Sequence, residues 1–232
     1  MKKTLFIDAD DTLWECNLFF REAMHRYCKL MNHHYSVPEQ VVYDMILTFE
    51  KTRISTYGYG SLGFYECLLD VYEALETTYN HRAVLNPKKE FKVICEAVLD
   101  FKIVLLPDVV QTLQTLKSRE YELHLVTKGE HDEQLKKIKD SGLEIHFDHW
   151  HIMEEKDEES YLAYLDQHRL KPEETVMVGN SPNSDIHPPK NIGMEAIYVP
   201  HDLNWELEVS DVFECNQVTI IQNFNELKSL FK

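Results

Sequence analysis

The chain has 232 residues, with 24 Lys and Arg against 40 Asp and Glu, a formal charge of −16. Hydrophobic residues make up 44 % and aromatic residues 11 %, enough for a sizeable core, which excludes a disordered chain. The acidic excess excludes a protein that tracks a nucleic-acid backbone, and no apolar run is long enough to cross a bilayer.

The first predicted element is a short apolar strand at 4–7, which delivers Asp8-Ala9-Asp10-Asp11-Thr12-Leu13-Trp14. Met1-Lys2-Lys3 ahead of it mimics the start of a signal peptide, but the acids that follow end that reading. The five cysteines, at 16, 28, 67, 95 and 215, show no CxxC spacing. They read as free thiols in a reducing, cytoplasmic setting.

From 17 to 100 the pattern is helical. Phe20, Met24, Tyr27 and Met31 form one stripe, and Val42, Met45, Ile46 and Phe49 a second. Leu68, Leu69, Tyr72 and Leu75 follow, then Phe91, Ile94, Cys95 and Val98. Between the second and third stripes lies Thr56-Tyr57-Gly58-Tyr59-Gly60-Ser61-Leu62-Gly63-Phe64. Tyr57 and Tyr59 there are candidates for substrate contact. The alternative is a plain connection between helices with aromatic packing.

After 100, strands and helices alternate. Strands are predicted at 123–126, 149–152, 176–178, 196–199 and 218–221. Helices are predicted at about 108–118, 131–140, 157–169 and 185–191, with Gly142 as a helix stop. The expected fold is α/β: a Rossmann-like, mostly parallel sheet flanked by helices, with an all-α insert. The expected bounds are 1–16 and 101–232 for the core and 17–100 for the insert. His146, His149 and His151, around Trp150, lack HExxH spacing and read as packing or surface residues.

In a parallel sheet, ligands bind beyond the carboxyl ends of the strands. Asp8 and Asp10 leave the first strand two residues apart, so two carboxylates and a backbone carbonyl can face one pocket. Those are the oxygens Mg²⁺ prefers, and one carboxylate can attack while the other handles protons. Thr127, in Val126-Thr127-Lys128-Gly129, offers a hydroxyl and backbone N–H groups for a phosphate oxygen. Gly179-Asn180-Ser181-Pro182-Asn183-Ser184-Asp185 ends another strand with an amide and then a carboxylate. Lys156 precedes a helix start and can neutralise phosphate charge.

Taken in order, these four segments resemble the motifs of the haloacid dehalogenase superfamily. The position of the insert resembles that superfamily's helical cap. The resemblance implies Asp8 as nucleophile, forming an aspartyl-phosphate, and Asp10 as acid and then base. It implies Thr127 and the Lys128 N–H as phosphoryl ligands, and Lys156 as the charge-neutralising lysine. Asp8, Asp10 through its carbonyl, Asn180 and Asp185 would hold Mg²⁺. Asn180 departs from the family's usual Asp and brings no charge to the metal. The acid at Asp10 favours a phosphatase acting on a small phosphorylated metabolite over a dehalogenase. A phosphomutase, or a silent module that binds a phosphorylated ligand or a partner, is the alternative. Residues 17–100 carry 9 basic and 11 acidic residues, so most of the acidity belongs to the predicted core.

Overall fold

Thr4–Ile7 (β1) is buried along its whole length, as a strand covered on both faces must be. The protein is seen here as a computed structural model that describes residues 3–80, 86–100 and 102–232. The other strands are Glu122–Lys128 (β2), His149–Met153 (β3), Thr175–Gly179 (β4), Glu195–Tyr198 (β5) and Val218–Ile220 (β6). All pairings between them are parallel, and the order is β3-β2-β1-β4-β5-β6. The order reverses at β1 and β4, which opens a crevice at their carboxyl ends. This is the expected α/β sheet.

The chain divides into two compact units, Met1–Asn17 with Ile103–Lys232, and Leu18–Lys102. The first holds the sheet and helices Val109–Ser118, His131–Ser141, Glu158–His168, His187–Asn191 and Leu227–Leu230. The Glu130 carboxylate caps His131–Ser141 by accepting the N–H groups of Asp132 and Glu133, and Gly142 (φ 66°) ends it. The Asp157 carboxylate accepts the Ser160 N–H and so starts Glu158–His168 immediately after Lys156.

Two expected bounds are corrected. The second strand runs on to Lys128, because β3 continues to pair with it through Thr127 and Lys128. The helix expected at 185–191 is a single π-type turn, Pro182–Ile186, followed by a short helix at His187–Asn191. Pro188 and Pro189 lack N–H donors and fit only a first helical turn.

The second unit is helical: Asn17–Tyr35, Glu39–Tyr57, Ser61–Tyr79, Pro87–Ile94 and Glu96–Leu99, the first helix starting at the unit's border. Tyr27, Met31, Val42, Ile46, Leu68, Leu75 and Phe91 form its dry core. The Tyr27 hydroxyl donates to the Leu68 carbonyl at 2.7 Å, satisfying a buried polar group. The glycines between the second and third helices have local reasons. Gly58 and Gly60 have φ of 72° and 105°. A Cβ on Gly63 would come within 2.7 Å of the Gly58 carbonyl oxygen. Tyr57 donates its hydroxyl to Asp70, which also takes Arg53 at 3.2 Å.

All five thiols are free. Cys16, Cys28, Cys67 and Cys95 are buried, and Cys215 is exposed. No described helix is long and apolar enough to cross a membrane.

Candidate active site

Strands β1, β2 and β4 run in step, with Ile7 paired to both Leu125 and Val178. Asp8, Thr127 and the Gly179–Asn180 step therefore leave the sheet at one end. The Asp8 N–H donates to the Val178 carbonyl at 2.9 Å, which fixes the backbone at that point. The chain then turns tightly. Asp11 sits at φ 60°, its N–H on the Trp14 carbonyl at 2.7 Å, and the Leu13 N–H returns to the Ala9 carbonyl at 2.8 Å. The Asp11 carboxylate accepts the N–H groups of Cys16 (2.7 Å) and Asn17 (3.1 Å). It closes the loop and caps the following helix. Burial first, with the charge of Asp10 added, pushes its pKa up to about 7.

Asp8 is 6 % exposed and met from three sides. Lys156 Nζ donates to Asp8 Oδ1 at 2.5 Å and to Asp185 Oδ1 at 2.7 Å. The Thr12 hydroxyl donates to Asp8 Oδ2 at 2.9 Å. Burial would lower the Lys156 pKa, but Asp185 and Asp8 outweigh it and hold the ammonium charged. Burial and the nearby Asp8 charge push Asp185 up to about 7, against the pull of Lys156. The second oxygen of Asp185 accepts the Ser181 N–H at 3.0 Å. Both oxygens of Asp185 are thus engaged, and its direct partners are Lys156 and the turn rather than Asp8.

The Asn180 amide faces the remaining oxygens. In one orientation its NH₂ donates to Asn204 Oδ1 at 2.9 Å, and its own oxygen turns toward Thr12 at 3.1 Å. That oxygen then converges with Asp8 Oδ2 and the Asp10 carbonyl. In the swapped orientation the NH₂ donates to Asp8 Oδ2 (3.3 Å), the Asp10 carbonyl (3.1 Å) and Thr12 Oγ1 (3.1 Å). The swap satisfies those acceptors without a cation; the first orientation gathers three oxygens of the kind a hard cation binds. This set fits Mg²⁺.

Asp10 presents its backbone to this cluster, while its carboxylate is held elsewhere. Trp14 Nε1 donates to it at 2.7 Å, Gln134 Nε2 at 2.8 Å and the buried Lys137 at 3.1 Å. Burial would raise the Asp10 pKa, yet Lys137, Gln134 and Trp14 together hold it below the usual carboxylate value. Thr127 is buried, its hydroxyl 3.5 Å from Gln134 Oε1. Gln134 thus ties Thr127 to Asp10. Lys128 lies at the strand end with its ammonium on Glu208 (2.5 Å) and Ser184 (3.0 Å). Tyr57 and Tyr59 belong to the helical unit, Leu18–Lys102.

Sequence reading missed Thr12, Gln134, Lys137 and Glu208. Gln134 and Lys137 were within reach. They stand three residues apart on the helix after Thr127-Lys128-Gly129, so one face carries both.

The model of the haloacid dehalogenase-like hydrolases matches residues 2–193. The chain belongs to that family. Among curated relatives of this hydrolase, one from Methanothermobacter thermautotrophicus is 27 % identical over 99 % of this chain and 100 % of its own length. Another, from Methanocaldococcus jannaschii, is 27 % identical over 86 % of this chain and 85 % of its own. Both are named glyceraldehyde 3-phosphate phosphatase. A haloacid dehalogenase-like hydrolase structure from Xanthomonas campestris superposes with a TM-score of 0.84 at 23 % identity, over 99 % of this chain and 90 % of that one. A phosphatase structure from Thermococcus onnurineus gives a TM-score of 0.60 at 19 % identity, over 99 % and 97 %. These two likenesses show the fold of the hydrolase.

Proposed function

We propose that this hydrolase is a Mg²⁺-dependent phosphatase, cleaving a small phosphorylated metabolite through an aspartyl-phosphate on Asp8. The observation that carries the reading is the Asp8 carboxylate at the end of β1, held by Thr12 and a buried Lys156, with Asn180 beside it. The names of the curated relatives make a three-carbon sugar phosphate the first substrate to try. Residues 17–100 act as the cap, with Tyr57 and Tyr59 contributing to substrate choice. Buried free thiols suit a reducing, cytoplasmic setting.

Phosphoryl transfer is mainly positioning and charge compensation. An Asp8 oxygen attacks phosphorus, and the bond to the leaving alcohol oxygen breaks as Asp10 gives that oxygen a proton. Thr127 and the Lys128 N–H hold phosphoryl oxygens. Lys156, in contact with Asp8, balances the negative charge that collects around the transferring group. Asp10 then takes a proton from water as the water oxygen attacks the aspartyl-phosphate, releasing phosphate and free Asp8. Asp8, the Asp10 carbonyl and Asn180 would hold Mg²⁺, which would supply positive charge to the phosphoryl group, with Asp185 behind Lys156. To act as an acid, the Asp10 carboxylate must leave Lys137, which stabilises its ionised form.

The test is phosphate release from para-nitrophenyl phosphate and glyceraldehyde 3-phosphate, wild type beside Asp8→Asn. Turnover by the wild type alone, stopped by EDTA and restored by Mg²⁺, is expected. Equal rates from the two proteins would instead identify a silent binding module. Transfer of phosphoryl within the substrate without free phosphate would identify a mutase.

A further inference from the structure

At the opposite end of β2 from Thr127, a second cluster carries ligand chemistry. Glu122 opens β2 and His124 follows two residues later; His149 opens β3 and pairs with His124. His168 closes the last turn of Glu158–His168. The three imidazoles each offer a nitrogen, and those nitrogens lie within 4.8 Å of one another. Ring centroids are 4.6 Å apart for His124–His149 and for His149–His168, and 5.0 Å for His124–His168. Three elements from distant parts of the sequence thus bring imidazoles to one point.

We propose that His124, His149 and His168, with Glu122 as fourth ligand, form a binding site for a borderline divalent transition metal such as Zn²⁺. The inference stands apart from the phosphatase reading. Three imidazoles and a carboxylate suit Zn²⁺, Co²⁺ or Ni²⁺, in contrast to the all-oxygen set around Asp8. Glu122 Oε1 lies 3.0 Å from His124 Nε2 and 4.0 Å from His149 Nε2, so the carboxylate already sits beside two of the rings. A tetrahedral site with metal–nitrogen bonds of about 2.0–2.1 Å needs nitrogens roughly 3.3 Å apart. From nitrogens within 4.8 Å the required approach is up to about 1.5 Å, and the exposed His149 and half-buried His168 can supply it while the buried His124 stays fixed.

The outer groups agree. His124 Nδ1 meets the Tyr164 hydroxyl at 3.0 Å, which fixes the ring and leaves Nε2 toward Glu122. An open groove of about 500 Å³ reaches the outer edge of the cluster, where Glu122 and His149 line it.

The experiment uses the full, untagged chain in saturating Mg²⁺, titrated with Zn²⁺ by calorimetry and with Co²⁺ by visible absorption. The wild type should bind one more equivalent than His149→Ala/His168→Ala, at micromolar or tighter affinity, with Co²⁺ giving tetrahedral d–d bands. Glu122→Gln should weaken binding tenfold or more while leaving the fold unchanged by circular dichroism. Mg²⁺-dependent turnover should be the same in all variants. Equal stoichiometry and affinity in wild type and double variant, or no saturable uptake by the wild type, would overturn the site.

Discussion

A lysine buried to 4 % exposure is destabilising unless its charge is matched. Lys156 is matched twice, by Asp8 and Asp185, so one cation holds two carboxylates that would otherwise repel. Asn180 is the uncharged member of the cluster, and that has a measurable consequence. Asn180→Asp should lower the Mg²⁺ concentration for half-maximal activity by tenfold or more, because ligand charge sets affinity for hard cations. In EDTA the same change should lower Tm, since a further carboxylate then faces Asp8 without compensation. An unchanged Mg²⁺ dependence would remove Asn180 from the metal's surroundings. Asp8, Asn180 and Lys156 were visible in the sequence because each ends or closely follows an apolar strand. Glu208 was not. It comes from a turn 80 residues beyond Lys128, and only the folded chain brings the two together.

At the scale of elements, the parallel strands were legible as short apolar runs between helical stripes. The turn after β4 was not, because its π geometry depends on tertiary contacts rather than on a residue period. Gly179 allows that turn to pass close to Asp185. A Cβ there would stand 2.2 Å from Asp185 Oδ2. Gly179→Ala should therefore push Asp185 off Lys156, lowering stability by about 1–3 kcal/mol and turnover with it. Normal Tm and kcat in this variant would show that the turn can yield.

The Glu206–Glu208 turn is tied to the same place. Glu208 accepts from Ser181, Ser184 and Lys128. Burial would raise its pKa, but Lys128 and the two hydroxyls hold it below 4.5. Its contribution to stability is therefore present above pH 4.5 and fades as pH falls through the lower folded value. Glu208→Gln should cost about 1.5–3 kcal/mol at neutral pH, and less as pH drops below 4.5. A gap between the two Tm–pH curves that stays constant would refute the pairing. The histidines show a different limit of sequence reading. Local density picked out His146, His149 and His151, yet β-pairing and a helix end join His149 to His124 and His168 instead, while His151 stacks on Tyr164 at 4.5 Å.

For the whole molecule, the acidity that argues against long polyanions also shapes the site. Residues 17–100 carry 9 basic and 11 acidic groups, so the surplus negative charge falls outside them. Within the sheet-bearing unit, Lys156, Lys128 and Lys137 are each paired with carboxylates. In the proposed reaction a bound cation supplies the positive charge these pairs consume. The thiols, finally, provide a natural reporter of which unit opens. Burial pushes Cys28, Cys67 and Cys95 up to about 12, and all three lie in Leu18–Lys102. Cys16 is the buried thiol of the other unit, whereas Cys215 faces solvent. A thiol reagent should therefore label one site rapidly in the native protein. Opening of the helical unit alone would raise the count to four, and opening of the sheet-bearing unit alone would raise it to two. Labelling kinetics along a denaturant series can thus order the two events without any engineered probe.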